Sequence, residues 1–338
     1  MSALHQLFFY RYRLNLVAED PILLPPFKGS VIRGTFGAVL RNILCPFRSQ
    51  ECNECMIKDG CFYRTVMDSP FSQDHPHSRK YKNAPHPYVL IPPLTKEKLF
   101  NPGDVLPVEF VLIGEINDRL PYVVYTFVEM GRKGLGKNRG KFVLSSVEGL
   151  SFDGTKTQIY NHNTGALRPF HQPIHYNCFL NDPILPNLPE EIELMVSFET
   201  PVRLKINNRL SSKLPYQVLI KRLYERALLL AHLYCGAEMD EIKELEEPFD
   251  AVAITQDNLK WVDLTRFSSR QKTVMKLGGL VGDISYKGPI KKHVPLLKLG
   301  EHIHVGKSTT FGLGKYKIAL KGLEGGTNGR KEPIPGAV

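Results

Sequence analysis

The sequence predicts an α+β protein of two tandem ferredoxin-like (βαββαβ, RRM-like) domains, the second carrying a C-terminal glycine-rich loop. Three observations predict it. Two strands end in related turns, Glu19-Asp20-Pro21 after LNLVA and Glu199-Thr200-Pro201 after LMVSF. An amphipathic helix follows each. Each half then closes on a glycine-rich basic loop that runs into a strand, GRKGLGKNRGKFVL and GKSTTFGLGKYKIAL, with LGK triplets starting at Leu135 and Leu313. The turns and the triplets recur at nearly the same spacing, about 180 residues, as a duplicated domain would place them. A length of 338 residues also suits two domains.

The N-terminal MSALHQLFFYRYRLNL alternates apolar and basic residues and has no small-residue cleavage site, so it reads as a strand rather than a signal peptide. A helix is expected over residues 30–44, with Ile32, Phe36, Val39, Leu40 and Ile43 on one face. Residues 68–93, rich in Pro, His and Tyr, read as a long loop of the kind that often carries function. VLPVEFVLIG is a strand, and PYVVYTFVEMG starts a helix at Pro121 although its β-branched residues oppose one. In the second half, Leu219, Leu223, Ala227 and Leu230 mark a helix over 215–235 that Gly236 stops. The acidic stretch 237–250 reads as a solvated segment. KTVMKLGGLVGDISYKG reads as strands with glycines at a bulge. PIKKHVPLLKLG is a short helix, and His302 and His304 alternate with Ile303 and Val305 on a strand entering the last glycine loop. The expected domains are 1–180, with a cysteine loop inserted at 45–61, and 181–320, with its glycine-rich loop at 306–314. Residues 321–338 read as a flexible tail.

Apolar residues are 42% and charged residues 23% of the chain, which excludes wholesale disorder. The longest apolar stretch, 227–237, is broken by His232 and falls short of the ~20 residues of a membrane helix. Lys and Arg number 44 against 34 acids, a net charge of +10, and such an excess favours a polyanion, nucleic acid first. A general solubility charge is the rival explanation, but the cations are concentrated. Arg132, Lys133, Lys137, Arg139 and Lys141 crowd the first glycine loop with no acid among them. Residues 287–317 hold seven lysines, including Lys291, Lys292, Lys307 and Lys315, against the single acid Glu301. Neither loop is a nucleotide motif. Glu301 stands where a phosphate loop needs its first glycine, and Arg139 where a dinucleotide fingerprint needs its third.

Cys45, Cys52, Cys55 and Cys61 follow a C-x6-C-x2-C-x5-C pattern among turn-forming residues. Four thiolates at such spacings suit a structural tetrahedral zinc site. An iron–sulfur cluster and free thiols are the alternatives. A reducing compartment disfavours disulfides. Cys178 and Cys235 are isolated.

GEHIHVGKSTTFGLGKYKI resembles the C-terminal glycine-rich loop of repeat-associated RNA-processing proteins. FKGSVIRGTFGAVLR and LPYVVYTFVEMGRKGLGKNRGKF are similar to their N-terminal half. Over residues 11–318 the chain resembles the CRISPR precursor-crRNA processing endoribonucleases of the RAMP superfamily. The resemblance implies binding of CRISPR repeat RNA or crRNA and metal-independent cleavage 3′ of a hairpin. The RNA 2′-hydroxyl would attack the adjacent phosphate and leave a 2′,3′-cyclic phosphate. A cytoplasmic prokaryotic protein, monomeric or homodimeric, is expected, with other effector-complex subunits as further partners and no membrane. Catalysis would need no cofactor. Such chemistry needs an acid and a base, for which histidine is suited near neutral pH. The family places its histidine soon after the first helix, but here none occurs between His5 and His75. His75, His77 and His86 come next, the first two near Arg79, Lys80 and Lys82. His77 and His75 rank first as acid–base candidates and His304 after them. Ordinary solvent-exposed loop histidines are the bland alternative. A non-catalytic RNA-binding subunit with the same fold is the second functional reading.

Overall fold

The computed structural model describes residues 2–71, 83–206, 209–238, 245, 249–268 and 273–321. The chain divides into two compact units. One comprises 6–174 and 229–241, the other 1–5, 175–228 and 242–338. We call them the N-terminal and C-terminal units.

The N-terminal unit opens with β1 (Phe8–Ala18) and β2 (Ile22–Leu23). The alternation seen in the sequence sets β1 on its pleat. Tyr12, Leu14, Leu16 and Ala18 are buried, while Arg11 and Arg13 stand on the other face and share Glu109 at 3.1 and 2.8 Å. There follow α1 (Gly29–Leu44), α2 (Phe62–Met67), β3 (Tyr88–Ile91), β4 (Leu99–Phe100) and β5 (Val105–Ile113). The unit continues with α3 (Leu120–Lys133), β6 (Phe142–Leu150) and β7 (Lys156–Asn161). The sheet runs β3-β5-β1-β6-β7, so the strands of the βαββαβ unit lie in the order second, third, first, fourth. All four pairings along that path are antiparallel. Ile32, Phe36, Val39 and Leu40 of α1 and Val123, Val124, Phe127 and Met130 of α3 pack with Tyr12, Leu14, Phe110 and Leu112. Phe36 sits at the centre, 5.4 Å from the Phe110 ring and 5.6 Å from Phe127. Each such large side chain contributes ~1.5–3 kcal/mol by its burial. The β-branched residues of α3 are thus paid back by packing, which overrides their weak helix propensity.

Between the units the chain forms β8 (Ile174–His175). The C-terminal unit then holds α4 (Tyr176–Leu180), β9 (Ile192–Val202), β10 (Lys205–Ile206) and β11 (Arg209–Leu210). After α5 (Tyr216–Tyr234) come β12 (Ala253–Asp257), β13 (Lys260–Ser268), β14 (Thr273–Gly288), α6 (Val294–Ile303) and β15 (Tyr316–Leu320). The sheet order is β12-β14-β9-β15, again second, third, first, fourth. Two copies of one antiparallel topology confirm the duplication and the tandem ferredoxin-like fold. β13 adds a hairpin to β14, from Lys260 opposite Val281 to Ser268 opposite Thr273. The β14 glycines mark the expected irregularity, a register shift against β9 between Leu280 and Gly282.

Two expectations change. The stretch 68–93 is not loop throughout: Tyr88–Ile91 forms β3, buried at all four positions. Four residues flanked by Pro87 and Pro92 are too few to show a strand period. His302 and His304 do not alternate on a strand either. α6 runs through Ile303, and His304 is its C-cap. Pro295 in its first turn and the buried Leu296, Leu299, Gly300 and Ile303 at helical spacing outweigh the short HIHV alternation. The tail and most of the acidic stretch lie outside the described residues. Among the described residues no helix is long and apolar enough to cross a membrane.

Candidate nucleic-acid interface

The two glycine-rich loops follow one plan. In the N-terminal unit, the N–H groups of Glu19 and Asp20 donate to the Lys141 carbonyl at 2.9 and 3.2 Å, and the Asp20 carboxylate accepts from Lys141 N–H at 3.1 Å. In the C-terminal unit, Glu199 and Thr200 donate to Lys315 O at 3.0 and 3.3 Å, and Thr200 Oγ1 accepts from Lys315 N–H at 2.9 Å. Deeper in each loop, Lys137 N–H donates to Leu23 O, and Lys307 N–H to Arg203 O, both at 3.1 Å. Leu135 N–H meets Gly140 O at 2.9 Å, and Val305 N–H meets Gly314 O at 3.1 Å. The equivalent residues are therefore Leu135-Gly136-Lys137 and Val305-Gly306-Lys307, not the two LGK triplets. Lys141 then matches Lys315, and the second loop is four residues longer between these anchors.

That extra length changes what each loop does. The shorter loop is filled by its own side chain: Asn138 donates to Pro21 O and accepts from Leu23 N–H at 3.0 Å. The longer loop holds Ser308 at φ 66° and Gly312 at φ 87°, with Thr309 and Thr310 buried. Thr200 Oγ1 donates to Gly312 O at 2.8 Å. Gly314, at φ 71°, has no room for a Cβ, which would fall 1.9 Å from Val305 O.

Cations gather at the longer loop. Burial lowers the Lys307 pKa, and the nearby charges of Lys205 and Arg203 lower it further. Arg203 donates to Gly278 O at 2.5 Å, and its buried Nε has no partner among the described residues. Burial lowers its pKa too, against the raising effect of Asp263. Three cations that repel one another raise the local positive potential. Arg266 lies over the Phe311 ring, 4.8 Å from its centroid. Trp261, 42% exposed, donates its Nε1–H to Asp263 at 3.1 Å. Arg203 and Lys205 were missed at the sequence level. Their signal was the turn they follow, ETPVRLK, whose partner is the glycine loop.

The other nominated residues fall as follows. Arg132 and Lys133 close α3, exposed, with Arg132 paired to Glu129. Lys137, Arg139 and Lys141 are exposed, and Arg139 has φ 52°. Lys315 pairs with Glu199 at 2.6 Å, and Lys291 with Glu190 at 3.4 Å, while Lys292 is exposed. His75 and His77, with Arg79, Lys80 and Lys82, lie outside the described residues. His86 is half-buried with Nδ1 2.7 Å from Ser69 Oγ, which itself donates to Thr65 O at 2.5 Å. His304 is fully buried, and burial, reinforced by Lys315, pushes its pKa down to about 3. It therefore presents no ring to solvent, contrary to the surface strand position expected for it.

Cys45, Cys52, Cys55 and Cys61 line one cavity, beside Tyr63 and Arg64. Burial raises the Cys52 thiol, with Asp68 and the neighbouring Cys45 and Cys61 adding to the shift. Among the described residues, however, no three His, Cys, Asp or Glu side chains are grouped closely enough to hold a metal ion. The zinc expectation is thus not supported by the geometry. Another staple is present instead: Arg41 donates to Arg48 O and Gln50 O at 3.1 and 3.4 Å, and Arg48 to Asn42 O at 2.8 Å.

Two βαββαβ units with a glycine-rich loop before the last strand of each define a tandem ferredoxin-like protein. Residues 196–316 match the family model of the CRISPR-associated endoribonuclease Cas6, and residues 7–172 match AF_1859_N, described as an N-terminal domain. An uncharacterized protein of Archaeoglobus fulgidus is 25% identical over 304 residues, covering 87% of this chain and 92% of that one. The fold is shared with Thermus thermophilus Cas6 (TM-score 0.50, 12% identity, 93% and 99% covered) and with a Cas6 product complex (0.50, 15%, 92% and 100%). A chain of a partial Cas6-RT-Cas1–Cas2 complex matches at TM-score 0.51 and 15% identity over 95% of this chain. The present chain spans 47% of the length of that larger one.

Proposed function

We propose that the protein binds CRISPR repeat RNA and processes precursor crRNA as a metal-independent endoribonuclease, keeping the product hairpin. The observation that carries this reading is the long glycine loop at 305–315, with Arg203, Lys205 and Lys307 gathered at it, inside the segment that matches the Cas6 family. Backbone N–H groups and clustered cations suit phosphate oxygens. The exposed Trp261 offers a stacking face for an unpaired base. The proposed reaction is attack of a 2′-oxygen on the adjacent phosphorus as the 5′-oxygen leaves with a proton. It needs a base, an acid and charge support. His77, His75 and His86 are the acid–base candidates. His86 is supported by Ser69, which fixes the orientation of its ring. A resident Cas1 or Cas2 contact, or another effector subunit, is a further proposal resting on the larger Cas6-RT-Cas1–Cas2 likeness. We retain structural zinc as a proposal on the four thiols around one cavity, with no part in catalysis.

The second reading, a non-catalytic RNA-binding subunit, is favoured by the histidine-free stretch between His5 and His75. One assay separates the two. The cognate repeat RNA is incubated in EDTA and the products are end-analysed. The enzyme yields a 2′,3′-cyclic phosphate and a 5′-hydroxyl, and His77→Ala, His75→Ala or His86→Ala lowers the rate by ~10²-fold or more. Tight binding with no product in EDTA would leave only the binding subunit.

A further inference from the structure

His304 combines features that are individually costly. Its backbone lies at φ 58° and ψ 170°, a region otherwise close to glycine-only. Its side chain is 0% exposed. Its buried Nε2 has no hydrogen-bond partner among the described residues. Glycine would remove the first cost and an apolar residue the last. The duplicated half shows that glycine suffices for the turn: the matching C-cap of α3 is Gly134, at φ 81° and ψ 158°. The shorter loop there is tied by the Asn138 side chain. The longer loop has no asparagine at its tip, and what the histidine adds is a side chain.

The single bond of that side chain spans the loop. His304 Nδ1 lies 3.1 Å from Leu313 O. A carbonyl only accepts, so Nδ1 carries the proton and Nε2 is the bare nitrogen. The charges that act on the ring oppose a second proton: Lys315 just before β15, Arg226 from α5 and Lys317 from β15. Arg226 also donates to Ile303 O through Nε and Nη2, at 3.1 and 3.0 Å, and so fixes the turn from which the ring projects. The bond therefore joins residue 304, just before the loop, to residue 313, near its end.

We propose that His304 is a positioning residue for the glycine-rich loop: a neutral imidazole tying Leu313 O to the end of α6, so that the Lys307 side chain and the loop N–H groups meet RNA phosphates in a fixed shape. The RNA part rests on the function proposed above. A loop held in its bound shape loses less entropy on binding.

Hydrogen exchange by mass spectrometry on the loop amides 305–314, together with repeat-RNA binding by anisotropy, tests it in the full chain. His304→Gly removes the tie and relaxes the backbone. It should leave the melting temperature unchanged or higher, speed loop exchange by about tenfold, and weaken RNA binding by about five- to tenfold. His304→Asn can still donate to Leu313 O and tolerates positive φ, and it should recover most of both losses. Unchanged loop exchange in His304→Gly would overturn the proposal. So would unfolding of that variant, or an Asn variant no better than Gly, because either makes the ring a packing residue. Should the wild-type chain bind no repeat RNA, the functional reading falls, while the exchange data still decide the tie.

Discussion

Below pH 6.5 a free histidine takes up a proton, but buried His304 resists one until about pH 3. Its folded-state pKa is depressed, so between those values the unfolded chain binds the extra proton. The stabilisation is complete above pH 6.5 and is lost as pH falls towards 3. Stability should drop by up to ~1.4 kcal/mol per pH unit from this one group. Urea denaturation at a series of pH values would measure it, with His304→Asn as reference. The stability of the wild type relative to that variant should rise from about pH 5 upward and level off above 7; a difference independent of pH would contradict the buried neutral ring. Other residue roles were hidden from the sequence for a physical reason. Arg203 owes its environment largely to residues far along the chain, Gly278 being 75 positions away, and His304 owes its own to a turn geometry, and neither leaves a local pattern. His86 shows the opposite. It could be nominated by chain order alone, yet only the fold supplies Ser69 as its partner.

Among the elements, the glycine loops make the strongest demands on sequence. Gly314→Ala places a Cβ against Val305 O at a positive φ, and should destabilise the C-terminal unit by at least ~2 kcal/mol, read as a lower urea midpoint. An unchanged midpoint would mean that the loop is not closed as described. Charge is tested separately. Replacing Arg203, Lys205 and Lys307 by Ala should reduce the slope of log K against log salt for single-stranded RNA by about 2, since each lost phosphate contact contributes ~0.7. Replacing Arg132, Lys137 and Arg139 in the self-filled loop should cost less. Equal losses would return the two loops to the same rank. Helix positions were legible because their apolar faces repeat over several turns: α1 and α5 begin and end within one residue of expectation, and α3 begins one residue before Pro121. β3 and the end of α6 were not legible. Four buried residues between prolines carry no period, and the HIHV tetrapeptide carries a false one.

At the scale of the whole molecule, the duplication is legible in the sequence alone. Strand-terminal turns and basic glycine loops recurred at one spacing, and the two sheets share their strand order. The finer alignment misled. The LGK triplets look identical, yet the hydrogen bonds match the first with Val305-Gly306-Lys307, because register in these loops is set by the E-x-P turn they close against. The cysteine loop is the other place where spacing and geometry part. Four thiols surround one cavity, but Arg41 and Arg48 already anchor the segment through main-chain carbonyls. Elemental analysis of the purified chain resolves it. About one zinc per chain, lost in Cys52→Ser with a fall in stability, fits the retained proposal. A metal-free protein equally stable after the substitution fits the arginine staple.

The matched loops also make the molecule its own control experiment. Gly134 and His304, Lys137 and Lys307, and Asp20 and Thr200 are the same positions written twice in one chain. A substitution made in both copies under identical solvent, temperature and ligand separates the requirements of folding, which the copies share, from those of recognition. Few proteins offer that comparison without a second molecule.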